Sequence, residues 1–412
     1  MSAVQAAGML GISLPTLYSY VSRGMLRSEA VAGRPRTRRY LREDVRRLRE
    51  QKEGRRDPAK AAAGSLHWGN PVLESSLTLI SEGRIYYRGA DVVELAQQAT
   101  VEEVAALLWT GDRGQAPALF SRAPSQQNQE LPRAALSRIA KTAHLGPVER
   151  CQIVLPLAAA MDFSAYNLRP AAVPKTGARL LRLLFSAVCG RPASVPLEVS
   201  LQETWIPERR AAADLLRAAL IVCADHELNV SAFTARCIAS AQATPYEVVA
   251  GALAALKSRR HGGLSAQVEA LFREAVQAKN LRLFLAERLR LHAHLPGFGH
   301  RLYPKGDPRA ALLLSLAQRG GKRNQRPGKN AYGSLAGELA GAVRELTGEH
   351  PTLDFALVAL ARALNLPPQS PLALFALGRT IGSIAHAIEQ YADDELIRPR
   401  ARYVGVVPYR AE

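Results

Sequence analysis

The stretch Gly297-Phe298-Gly299-His300-Arg301-Leu302-Tyr303-Pro304-Lys305-Gly306-Asp307-Pro308-Arg309 sets a histidine against two glycines and, after a turn with Pro and Asp, presents an arginine. Glycine lets the backbone approach a ligand closely, and Pro with Asp favours the turn. A guanidinium grips a carboxylate bidentately while an imidazole donates to a neighbouring oxygen, so this loop suits a small anion with a reacting carbonyl. Other titratable groups stand in similarly marked stretches. His226 lies in Ala224-Asp225-His226-Glu227-Leu228-Asn229, His261 precedes Gly262-Gly263, and Asp354 lies in Pro351-Thr352-Leu353-Asp354-Phe355. Arg379 and Arg398-Pro399-Arg400 add cations near the C-terminus. Each has a plainer reading: His226 can bridge two helices, Asp354 can cap the apolar helix it opens, and Arg398 with Arg400 can neutralise Asp393-Asp394-Glu395.

Taken in order, these stretches resemble the signatures of the citrate synthase family. Gly297 to Arg309 matches its GFGHR-x-Y-x-x-x-DPR pattern, Ala224 to Asn229 with Phe233-Thr234-Ala235-Arg236 its ADHELN...FTAR segment, and His261-Gly262-Gly263 its HGG. Pro351 to Phe355 and the closing Gly378-Arg379 to Arg400 complete the set. The resemblance runs from about residue 76 to the C-terminus and implies a Claisen-type condensation of acetyl-CoA with oxaloacetate, then thioester hydrolysis. That chemistry needs a base for a weakly acidic methyl group and a donor for the developing enolate oxygen. Carried over by position, Asp354 is the base, His261 the donor to the thioester carbonyl, and His300 the group that polarises the ketone. His226, Arg309, Arg379 and Arg398 hold the oxaloacetate carboxylates, Arg398 from the partner subunit of a homodimer. No metal and no cofactor is implied beyond the CoA thioester, which is a substrate.

Two departures leave the acyl group open between acetyl and propionyl, the second giving 2-methylcitrate. Arg259-Arg260 stand where the family commonly has Gly-Pro, and Leu264-Ser265 where it has Ala-Asn. The basic run Arg319-Gly320-Gly321-Lys322-Arg323 is a candidate for CoA phosphates or a solvated loop.

The elements that must position these groups are mostly helices. Thr100-Val101-Glu102-Glu103 and Thr244-Pro245-Tyr246-Glu247 are capping boxes, and Ala212–Val222 and Thr244–Leu256 carry the 3.6-residue apolar period. Ser76 to Tyr87 alternates as a hairpin around Glu82-Gly83, and Arg113 to Leu131 reads as a loop without chemistry. The expected class is mainly α: a citrate synthase-like two-domain helical fold with a small N-terminal winged helix-turn-helix domain. Its divisions are 1–56 for the winged domain, 57–66 for a linker, 67–262 with 366–412 for the large domain, and 263–365 for the small domain.

The N-terminal module is read from its own residues. Val4 to Leu10 is a short helix, Gly11 turns, and Ser13 caps a second helix from Leu14 to about Arg23, with Leu14, Leu17, Tyr18 and Val21 inward. Thr16, Ser19, Tyr20 and Arg23 face outward, and a hairpin turning at Gly33-Arg34-Pro35-Arg36 forms a basic wing with Arg36 and Arg38. This resembles the winged helix of the MerR and excisionase group, which implies DNA as a partner, and it leaves as an alternative function a DNA-binding regulator whose citrate synthase-like body senses oxaloacetate or acyl-CoA; a retained fold serving protein contacts is the plainer reading of the module. Of the net charge of +18, residues 1–56 hold 13 Lys/Arg against 5 Asp/Glu, or +8. No run approaches the roughly 18 to 20 apolar residues of a membrane span, and no secretory signal pattern opens the chain, so the expectation is a cytoplasmic protein. Cys151, Cys189, Cys223 and Cys237 form no CxxC pair and read as reduced, mostly buried thiols.

Overall fold

The computed structural model describes residues 1–22, 26–31, 34–41, 44–45, 48, 73–121, 133–142, 144–291, 294–322, 331–401 and 403–406. Arg23, the linker and Arg323 lie outside them. The chain forms two units, Met1–Glu74 with Arg398–Glu412, and Ser75–Ile397.

In the first unit, Ser2 and Gln5 cap the Ala3–Leu10 helix reciprocally, and Gly11 ends it in the left-handed region at φ 59°. Ser13 Oγ accepts from the Thr16 amide at 3.4 Å at the start of the Leu14–Ser22 helix. Leu17 is fully buried in a small core with Ala6, Leu10, Leu26, Tyr40, Val45 and Leu48. The inward face differs from the expected one: Leu14 and Tyr18 are exposed, while Tyr20 and Val21 pack against the core. Leu17, Tyr20 and Val21 follow the i, i+3, i+4 rule, so the helix is rotated to bury Tyr20 in part and release Tyr18. The strands Ser28–Val31 and Arg34–Tyr40 pair antiparallel, Ser28 opposite Tyr40. Arg34 to Arg36 therefore belong to a strand, not to the turn; a two-stranded ribbon has only edges, where proline is tolerated.

In the second unit, the strands Thr78–Ser81 and Arg84–Tyr87 form the expected hairpin. Glu82 at φ 51° and Gly83 at φ 76° make a two-residue turn of the kind matched to strand twist. Both expected capping boxes form, at Thr100–Glu103 and Thr244–Glu247. The stretch after Arg113 is not all loop. Ala116–Phe120 is helical because Phe120 is buried, stacked on Trp109 with centroids 6.0 Å apart.

Apolar side chains of the second unit gather in two principal cores. The larger is built on the helices Val173–Cys189, Ala212–Cys223 and Ser370–Asp393, the smaller on Leu264–Ala275, Ala331–Thr347 and one face of Leu353–Leu364. Leu353–Leu364 serves both, so it spans the boundary at which Asp354 sits. The 24-residue helix Ser370–Asp393 is long and apolar enough to cross a membrane, contrary to the expectation that no run comes near that. Its most apolar window is 94% buried inside the protein, the mark of a central core helix.

Candidate active site

The glycine loop is tied by its backbone to the stretch before Asp354. Thr352 N–H donates to Gly297 O at 2.8 Å, Gly299 N–H to His350 O at 3.0 Å, and Phe298 pairs with Pro351 as a lone β-bridge. Gly297 sits at φ 87°, and a side chain there would run into Val268 and Phe355. His300 and Asp354 are thereby fixed in one frame although 54 residues separate them.

Within the loop, Leu302 N–H donates to His300 Nδ1 at 3.2 Å, so the neutral ring carries its proton on Nε2 and presents a donor. Tyr303 OH lies 2.9 Å from His226 Nε2, and the His226 and His300 rings meet edge to face at 5.4 Å. Arg309 is 3% exposed, forks onto Asp307 through Nε at 3.0 Å and Nη2 at 2.8 Å, and stands over the Tyr303 ring. From the long helix, Arg379 donates Nε–H to Cys223 O at 3.0 Å, while its buried Nη1 has no partner. A buried guanidinium nitrogen without a partner can donate to an anion.

His261 lies in the turn between the helices Pro245–Leu256 and Leu264–Ala275. Its Nε2 is 2.9 Å from Ser231 Oγ, and its ring packs edge-on against Phe375. Arg259 and Arg260, the bulky departure from the family pattern, are exposed. Gly262 and Gly263 are required here, because a Cβ on either would meet the carbonyls of Leu256 or of Lys257 and Ser258.

Asp354 occupies the first turn of Leu353–Leu364, whose N-cap is Thr352, so the capping alternative is set aside. Its Oδ1 is buried without a partner. Burial pushes its carboxyl up to about 7, with Arg309 and Arg379 opposing. Burial lowers all three histidines: His261 to about 4 with help from Arg379, His300 with help from Arg309, and His226 well below the ordinary imidazole range. At neutral pH the arrangement offers one carboxyl near its midpoint, three neutral imidazoles and two buried cations. It can take a proton, donate to developing negative oxygens and hold a dianion.

Of the seven residues that the resemblance makes catalytic or oxaloacetate-binding, six lie in this unit. The seventh, Arg398, is exposed and belongs to the other unit. Of the CoA candidates, Arg319 is exposed near the end of the helix Pro308–Lys322, which continues where a loop was an alternative; the Lys322 side chain and Arg323 lie outside the described residues. Of the DNA candidates, Thr16, Ser19 and Tyr20 are half-buried and Arg38 is exposed, donating to Ser28 Oγ at 3.1 Å; the Arg23 and Arg36 side chains are not described. The side chains that sequence reasoning passed over are Tyr303, Asp307 and Ser231. Tyr303 and Asp307 stand inside the glycine-loop motif, whereas Ser231 is legible only from the fold.

A family profile for the C-terminal domain of citrate synthase matches residues 65–400. The chain is 26% identical over 360 residues to citrate synthase 2 of Bacillus subtilis, covering 80% of this chain and 93% of that protein. It is 30% identical over 353 residues to a 2-methylcitrate synthase of Mycobacterium tuberculosis, covering 77% and 84%. Among solved structures, a citrate synthase from Thermotoga maritima superposes with a TM-score of 0.66 at 27% identity, covering 84% of this chain and 96% of that one. The ternary complex of carboxymethyl coenzyme A and oxaloacetate with citrate synthase from Thermoplasma acidophilum has the same fold, with a TM-score of 0.70 at 23% identity over 85% and 98%.

Proposed function

This chain belongs to the citrate synthase family, and we propose that its second unit condenses an acyl-CoA with oxaloacetate and hydrolyses the resulting thioester, with the residues above in the following roles. Asp354 takes a proton from the carbon next to the thioester carbonyl, while His261 donates to that carbonyl oxygen as it gains charge. Ser231 Oγ lies 2.9 Å from His261 Nε2 and 2.7 Å from Asn229 Oδ1, and its single proton serves one of them; turned to His261 Nε2 as substrate binds, it leaves Nδ1–H as the donor. The new C–C bond forms at the oxaloacetate ketone, whose oxygen accepts from His300 Nε2–H. His226, Arg309 and Arg379 hold the carboxylates, and Arg398 of a second subunit closes the site. Water then cleaves the C–S bond and CoA leaves as the thiol.

One observation carries this reading: the partnerless Asp354 Oδ1, with its carboxyl pushed up to about 7 in the field of Arg309 and Arg379. A base must be deprotonated at working pH yet strong enough to act, and a midpoint near neutrality meets both needs. The test is oxaloacetate-dependent release of CoA thiol from acetyl-CoA. Absence of release with every short acyl-CoA and 2-oxo acid tried sinks it. The relative in Mycobacterium tuberculosis favours trying propionyl-CoA beside acetyl-CoA, since one methylene is worth only about 1–3 kcal/mol of discrimination in an apolar pocket.

The smaller core supports reading 263–365 as a small domain that closes on the large one. Exposed Ile153 and Leu157 on the helix Pro147–Ala159, with Met161 after it, support a homodimer, to be checked by light scattering. The N-terminal module has its own core, an excess of positive charge and outward Tyr18, Arg38 and Arg39, which support DNA binding. An anisotropy titration against promoter fragments from the protein's own locus, with and without oxaloacetate, tests that reading. Sequence-independent binding abolished by moderate salt would reduce it to phosphate attraction.

A further inference from the structure

The segment Cys223–His226 is held from two sides before it reaches the site. On the hairpin side, Tyr87 OH receives the Asp225 N–H at 3.0 Å and lies 3.0 Å from Asp225 O, and Thr78 Oγ1–H donates to Asp225 Oδ2 at 2.6 Å. On the long-helix side, Arg379 donates to Cys223 O, Gly382 N–H to Ala224 O at 3.0 Å, and His386 Nε2 lies 3.2 Å from Asp225 Oδ1. Asp225 and His386 are both fully buried. A side chain on Gly382 would collide with Ala224 O and the Asp225 carboxylate, and one on Gly378 with Leu220 O, so the two chains touch along a glycine seam. Arg379 and His386 are seven residues apart, two turns along one face of this helix. Arg379 thus keeps an unpartnered Nη1 beside the segment that leads to His226, while His386 meets the residue next to His226.

We propose that Asp225 and His386 form a positioning pair for the condensation, setting His226 and Arg379 at the separation a dianionic oxo acid requires. The inference rests on the functional reading above and adds two residues that touch no substrate. His386 Nε2 lies 3.2 Å from Asp225 Oδ1 with both side chains fully buried, so this contact ties the long helix to the segment that leads to His226. Removing either partner leaves the other buried and alone. The helix then shifts along the glycine seam, and the two groups that hold the oxo acid lose their register together. The acyl-CoA, which meets His261 and Asp354, is affected much less.

The experiment compares Asp225→Asn, His386→Gln and the milder Thr78→Val with the wild type. It measures oxaloacetate affinity by calorimetry, KM for both substrates and Tm. The inference expects oxaloacetate binding weakened about tenfold or more in the first two, acyl-CoA KM within about twofold, and a double variant no worse than the worse single. Thr78→Val moves oxaloacetate affinity in the same direction by less, and with His386→Gln it carries the test if Asp225→Asn does not fold. A lowered Tm with unchanged oxaloacetate affinity, or equal weakening of both substrates, overturns the inference and leaves the pair merely structural. A wild type that binds no oxaloacetate overturns the functional reading and this inference with it; variants that bind like the wild type overturn the inference alone.

Discussion

Asp225 and Asp354 each keep a carboxylate oxygen away from water, yet their surroundings drive them in opposite directions. Burial raises both. At Asp225 the neighbouring His386 and Arg379 and the Thr78 hydroxyl more than offset it and hold the carboxyl below its ordinary range. At Asp354 no hydrogen bond reaches Oδ1, and the more distant Arg309 and Arg379 only partly oppose burial, so the carboxyl rises to about 7. Identical side chains thus shift in opposite directions, and what separates them is how far their neighbours offset burial. A raised value alone does not pick out a base. Glu198 is also pushed up to about 7, by burial and by Glu102, with an unpartnered Oε2. What distinguishes Asp354 is the company of three lowered imidazoles and two buried guanidinium groups.

The largest effect that separates the two carboxyls is on turnover. Asp354→Asn is expected to lower kcat by about 10²–10⁴-fold, the usual worth of a general base, with oxaloacetate affinity within roughly threefold. Calorimetry beside the thiol assay checks this, and a comparable loss of oxaloacetate affinity would blur the comparison.

Stability gives the next contrast, with opposite signs. Between the ordinary 3.8 and about 7, folded Asp354 keeps a proton that the unfolded chain has released. This group's contribution is therefore most favourable below about pH 4 and is lost as pH rises through about 7. Asp354→Asn escapes that loss, so its Tm should exceed the wild type's at pH 8 by several degrees and match it near pH 4. Asp225 works the other way. Its lowered carboxyl stabilises the fold at neutral pH, and the contribution disappears as pH falls through the folded value. Asp225→Asn should lower Tm at pH 7, because it removes the carboxylate that accepts from Thr78 and faces the buried His386 ring. Scanning calorimetry of both variants from pH 2 to 8 decides it, and equal signs would refute the contrast.

The pH profile of turnover sharpens the comparison further. Activity should rise about tenfold per pH unit below about 7 and level off above, as Asp354 ionises. His261 titrates near 4, so it adds no second step in this range. Its lowered value also removes stability as pH falls from about 6.5 towards 4, where the unfolded chain gains a proton that the folded ring refuses. The smallest expected change is in Ser231→Ala, which frees His261 Nε2 and should slow turnover about tenfold with oxaloacetate affinity intact.

Much of this arrangement was legible in the chain. Capping boxes, the Glu82-Gly83 turn and the apolar helices depend on neighbours within a few residues, and they form where the spacing puts them. The six gathered site residues were legible through motifs, since each sits in a short stretch whose glycines and turns are local. Ser231, His386 and the Thr78 contact were not, because they reach the site across 30, 161 and 147 residues and only packing brings them there. The rotation of Leu14–Ser22 escaped for a related reason. Tyr18 and Tyr20 are both amphipathic, and the core that the rest of the module builds, not the helix itself, selects which is covered.

The protonation state of Asp354 decides whether it can take a proton from the acyl group at neutral pH. Infrared difference spectra of the wild type minus Asp354→Asn, taken from pH 5 to 9, isolate the C=O stretch of that one carboxylic acid. A protonated-acid band should fade with a midpoint at about pH 7 while a carboxylate band grows with it. A carboxylate already fully formed at pH 5 would contradict it, and Asp354 would then be one more ionised acid held in place by the two arginines.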